Sequence, residues 1–204
     1  MIDIILAFDN LNTRGGQFIS ECLDDINVFF STKTYNVQTL TSHDINAKNI
    51  HDCTINLTSL IFVPYCHGND SCLGNINSDV FVSTTVNIKN FSNSFFYTFS
   101  CSSGINLGQE LIDNNCKCFF GYNKTIYNIN GYSQFKECAN LGLFLFVDGY
   151  DTDTILIEMK KKYTEKVFEL SKIDFFSAAY LRSNKDSLIK IGKNITIDNL
   201  INNN

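Results

Sequence analysis

A chain of 204 residues with 44% apolar and 18% charged side chains has the size and composition of one globular domain, because at this length a single core buries roughly 70% of the unfolded surface. Its formal charge of −5, with the lysines scattered, argues against a nucleic-acid surface, which needs clustered basic side chains to displace counterions from phosphates. No stretch approaches the about 20 consecutive apolar residues of a membrane span, so a soluble single domain over 1–204 is expected.

The opening MIDIILAFDN carries acids where an export signal carries Lys or Arg, and its apolar run has the length of a strand. A cytoplasmic location follows as the expectation, and with it eight cysteines held as thiols. The run 2–8 reads as the first strand. After a turn containing Thr13-Arg14-Gly15-Gly16, Ile19, Cys22, Leu23, Ile26 and Phe29 or Phe30 recur at helical spacing, with Asp24 and Asp25 on the other face. This predicts a crossover helix. NVQTL (36–40), SLIFVPYC (59–66), SFFYTFS (94–100) and CFFGY (118–122) read as further strands. The third and fourth runs are apolar at nearly every position, which suits strands covered on both faces. The order is therefore α/β, a mainly parallel central sheet in a three-layer sandwich.

Farther along, a long helix is predicted over 151–170, with an N-cap in Asp151-Thr152-Asp153-Thr154 and an apolar stripe of Leu156, Met159, Tyr163, Val167 and Leu170. The polar tail 198–204 is expected to fray.

Function in an open parallel sheet collects at the carboxyl ends of strands. His67-Gly68 follows SLIFVPYC, and Cys101-Ser102-Ser103-Gly104 follows SFFYTFS. Taken alone, each has an ordinary reading, since a single His is more often structural and a Cys in a buried strand more often packs. Together they suit acyl transfer: a thiol attacks a carbonyl and an imidazole, titrating near neutrality, manages the proton. Gly68 lets a carbonyl approach the backbone, so its amide and that of Cys101 are candidate oxyanion donors. An α/β-hydrolase requires its His after the nucleophile, whereas His43, His51 and His67 all precede Cys101. A zinc site from Cys66, His67, Cys72, Cys116 and Cys118 lacks the paired C-x2-C spacing. No metal or other cofactor is called for.

The blocks LIFVPYCHG and FFYTFSCSSGINLGQELIDNNCKCFFGYN resemble the His and Cys blocks of the caspase-like peptidases of clan CD. FLFVDGYDTDTILIEMKKKYTEKV and AAYLRSNKDSLIKIG are similar to the helix and final strand of stand-alone bacterial CHAT-like domains, so the resemblance covers most of the chain. It implies a cysteine endopeptidase acting on a protein substrate, with His67 as general acid–base, Cys101 as nucleophile, and Gly68 and Cys101 amides as oxyanion donors. Members that cut after Arg or Lys place Asp two residues before the nucleophile, where this chain has Phe99. Caspases use an Arg-x-Gly element after the first strand, where this chain has Arg14. The resemblance also implies control by a regulatory partner, and in bacteria a link with defence systems. The alternative is an inert caspase-like scaffold that keeps the pair by descent.

Overall fold

The computed structural model describes residues 2–11 and 15–201. Six strands form the main sheet: β1 (Asp3–Phe8), β2 (Asn36–Thr41), β3 (Leu60–Tyr65), β7 (Ser94–Tyr97), β8 (Cys118–Tyr122) and β9 (Leu188–Gly192), in the spatial order β2-β1-β3-β7-β8-β9. The first five are parallel to their neighbours and β9 runs antiparallel to β8 at the edge.

Strand side chains alternate faces, and here they fill two cores. Ile4, Leu6 and Phe8, then Ile61, Val63 and Tyr65, then Phe95 and Tyr97 build one side with α1 (Gly16–Phe30), α4 (Ser133–Val147), α5 (Thr152–Ser171) and α6 (Phe175–Ser187). Ile5 and Ala7, Leu60 and Phe62, then Phe96 build the other with α2 (Ala47–Thr54) and α3 (Leu107–Asp113). This is the three-layer arrangement expected from the uninterrupted apolar runs, which are buried on both faces for that reason.

The predicted crossover helix is α1, with Ile19, Cys22, Leu23, Ile26 and Phe30 buried. In α5 the Asp151 carboxylate caps the helix by accepting from the Asp153 and Thr154 amides. Its buried stripe begins at Ile155 rather than the expected Leu156, which is only partly covered. The tail departs from expectation more sharply. Residues Ile197–Ile201 form a short helix, α7, and Leu200 is fully buried in the first core. Ile195, Ile197 and Leu200 together supply an apolar face that a reading weighted on the asparagines overlooks.

A second, three-stranded antiparallel sheet was also not expected: β4 (His67–Gly68), β5 (Cys72–Gly74) and β6 (Val80–Ser83). It packs beside the sandwich through Leu73, Phe81 and Val82. No described helix is long and apolar enough to cross a membrane.

Candidate active site

Strands β3 and β7 are neighbours, in register Leu60–Ser94 through Phe62–Phe96. Pro64 has no N–H to give the ladder. Pairing lapses there and resumes when the Phe99 amide donates to the Pro64 carbonyl at 3.2 Å and Tyr65 faces Phe99. The register is unchanged across the gap, from Leu60–Ser94 to Tyr65–Phe99, and His67 and Cys101 each stand two residues beyond that last pair. Both follow the carboxyl ends of their strands, β3 ending at Tyr65 and β7 at Tyr97.

Each residue is held by its own local structure. His67 is not in a loop, as its place after a strand implied, but pairs with Gly74 in the small sheet. The following turn is closed by Asn69, whose side-chain oxygen accepts from the Ser71 and Cys72 amides. Cys101 opens a tight turn in which Ser102 takes φ +55°, a left-handed conformation uncommon for a side chain with a Cβ. That turn is fastened by Ser102 N–H to the Lys124 carbonyl and Gly104 N–H to the Tyr122 carbonyl. Beneath it, the Thr98 hydroxyl bonds to the Pro64 carbonyl at 2.9 Å and to the Ser100 hydroxyl at 2.6 Å, all buried.

The two turns also touch. The Asp70 carbonyl accepts from the Asn106 and Leu107 amides at 3.0 and 2.8 Å. A Cβ placed on Gly68 would lie 2.8 Å from the Cys101 carbonyl oxygen and 2.9 Å from Ser100 Cβ. Glycine is required there by close approach. His67, Cys66, Phe99 and Cys101 accordingly border one cavity of about 170 Å³, with Gly15 and Ile19 on one side and Ile126 and Asn128 on another. A second cavity, about 350 Å³, shares His67 but not Cys101 and is bordered by Gly68, Asn75 and Ser78.

Cys101 is half-buried, and its sulfur receives the Ile126 amide at 3.5 Å. The leading amides of α3 are engaged, since those of Asn106 and Leu107 donate to the Asp70 carbonyl. The other thiols differ. Burial raises the Cys66 and Cys22 pKa values well above the ordinary thiol range, and pushes Cys53 and Cys116 up to about 11 and Cys118 to about 12. Arg14 lies outside the described residues.

Sequence reasoning missed Asp9. It follows β1, and its amide donates to the Tyr65 carbonyl at 2.9 Å, which puts it beside Cys66 at the same sheet edge. It is fully buried, and neither carboxylate oxygen has a hydrogen-bond partner among the described residues. Burial raises its pKa, opposed chiefly by the nearby His67 ring. The signal was present in the sequence. Asp9 is the first polar residue after a buried strand, the criterion that singled out His67 and Cys101, applied to β1.

No known family profile matches the chain, and no curated protein matches it. Among solved structures it is similar to the crystal structure of the Arg-specific cysteine proteinase gingipain R, with a TM-score of 0.55 and 13% identity, covering 94% of this chain and 46% of that one. The chain spans less than half the length of that proteinase, and at this identity the likeness concerns the fold. A mainly parallel sheet between two helical layers, shared with a clan CD cysteine proteinase, gives this chain the caspase-like fold.

Proposed function

We propose that the protein is a cysteine endopeptidase in which Cys101 is the nucleophile and His67 the general acid–base. The observation that carries this reading is that His67 and Cys101 each follow one of two adjacent parallel strands, two residues past the Tyr65–Phe99 bridge, and border one cavity. Cys101 Sγ attacks the scissile carbonyl, its proton passing to the imidazole. The tetrahedral oxyanion forms against the Gly68 and Cys101 amides. His67 then protonates the leaving amine, the C–N bond breaks and a thioester remains. Water, losing a proton to His67, attacks the thioester, releasing the acid and restoring the thiol. Asp9, buried at the same edge, interacts electrostatically with the His67 ring.

The arginine preference in the neighbour's name is not carried over, because Phe99 stands where Arg- and Lys-cutting members of the resembled family have Asp. Protein substrates and control by a regulatory partner are part of the proposal, as is a role in bacterial defence by CHAT-like proteins of this size. The inert-scaffold reading differs in one measurable respect. Incubation with a cell lysate, followed by sequencing of new N-termini, is expected to yield cleavages with the native protein and none with Cys101→Ala. Identical profiles from the two proteins would support the scaffold instead.

A further inference from the structure

The cavity beside Cys101 also carries information on what it accepts, and the argument rests on the peptidase reading above. Four side chains other than the reacting pair form its apolar walls: Ile19 from α1, Cys66 at the end of β3, Phe99 before the nucleophile and Ile126 after β8. The polar side chain on it is the neutral Asn128. Among the described residues on the cavity, none carries a carboxylate, ammonium or guanidinium group.

The walls are not free to rearrange around a charged guest. The Phe99 ring, nearly fully buried, lies 5.2 to 5.6 Å from the rings of Phe18, Tyr65 and Tyr122, so it belongs to the sheet core as well as to the cavity. Burying an unpaired charge against such a surface costs several kcal/mol and is avoided. The size is informative too. An engineered apolar cavity of about 150 Å³ in another protein accepts benzene, and this one measures about 170 Å³. The larger cavity that shares His67 is bordered by Asn75 and Ser78 as well as Ile76 and Val80, and does not reach Cys101.

We infer that the residue on the acyl side of the scissile bond is uncharged and apolar, of the size of Leu, Met or Phe, and that Ile19, Phe99 and Ile126 select it. The cavity bounded by Cys101 receives this side chain.

The test uses the native full chain and a matched set of tripeptidyl chloromethyl ketones ending in Leu, Phe, Arg or Asp, with alkylation followed at each cysteine by peptide mapping. A ketone of this type reports acyl-side fit at the nucleophile without any need to know the natural substrate. The Leu or Phe reagent is expected to alkylate Cys101 about tenfold or more faster than the Arg and Asp reagents, the discrimination usual for one side chain in an apolar pocket. Faster alkylation of Cys101 by the Arg or Asp reagent overturns this inference and leaves the peptidase reading standing; the Asp arm also examines Arg14. Failure of all four to label Cys101 while iodoacetamide labels it overturns the peptidase reading itself. Because Phe99→Asp would cut into the core, the second variant is Ile126→Asp at a half-buried wall position. It is expected to shift the Arg-to-Leu rate ratio upward by about tenfold or more, and an unchanged ratio in a folded variant overturns the assignment of the pocket.

Discussion

Gly68 packs directly on Cys101, so closely that a methyl group on its Cα would lie 2.8 Å from the Cys101 carbonyl oxygen. This contact joins the turn after β3 to the turn after β7. Gly68→Ala is expected to force the turns apart, at a stability cost of about 1–3 kcal/mol for an overpacked contact. Its peptidase activity should fall by about 100-fold, the scale of a misplacement near 1 Å. Thermal melting with turnover on a cleaved substrate separates the two effects. Near-native activity in Gly68→Ala would show that the contact does not set the geometry.

Cys101→Ala is expected to abolish cleavage with little change in stability. The thiol is half-buried and its polar contacts are long, from the Ile126 amide at 3.5 Å and to the Ile126 carbonyl at 4.0 Å, so the loss should stay below about 1 kcal/mol. Denaturant unfolding measures the latter, and residual cleavage would place the nucleophile elsewhere.

Cys101 should also be the first of the eight thiols alkylated by iodoacetamide. Burial raises the pKa of Cys22, Cys53, Cys66, Cys116, Cys118 and Cys138, which removes the reactive thiolate from each. Cys72, also half-buried, is the internal comparison, and His67→Ala should slow Cys101 but not Cys72. Brief labelling of the native protein with peptide mapping checks this, and equal Cys101 labelling in both proteins would favour the scaffold.

Asp9→Asn separates stability from activity through pH. Burial holds the folded-state pKa of Asp9 above its ordinary value, so its favourable contribution is present at low pH, where it is protonated, and is lost as pH rises through the raised value. The Asn variant should therefore melt higher than the native protein at pH 8, and this gain should shrink or reverse at pH 3. Activity should fall, because His67 loses the carboxyl group with which it interacts at the sheet edge. Melting curves at both pH values and a pH–rate profile provide the check, and a variant with native activity would leave Asp9 without a role in positioning charge on His67.

Leu200→Ala tests the closing helix. With its side chain fully buried in the first core, truncation should cost about 2–5 kcal/mol, measurable by denaturant unfolding. A tail that merely frays would tolerate the change.

What the sequence settled by itself was local in origin. Strands buried on both faces must be apolar at nearly every position, so β1, β3, β7 and β8 announced themselves, and α1 and α5 did so through their 3.6-residue period. His67 and Cys101 were legible because each is a polar residue following such a strand. Other features depended on which segments meet. β4 and β5 span two and three residues, too short to show alternation, and exist because His67 and Gly68 find partners in Gly74 and Leu73. Leu200 is an isolated apolar residue among asparagines until Ile195 and Ile197 join it in the core. Asp9 stood at a legible position after the first strand, but only the packing of β1 beside β3 left its carboxylate buried near His67. The decisive fact, that β3 and β7 are adjacent and that His67 and Cys101, which follow them, border one cavity, comes from pairing across more than thirty residues of intervening chain. Such pairing is chosen by the packing of the whole sheet between its two helical layers, not by any pattern within either strand.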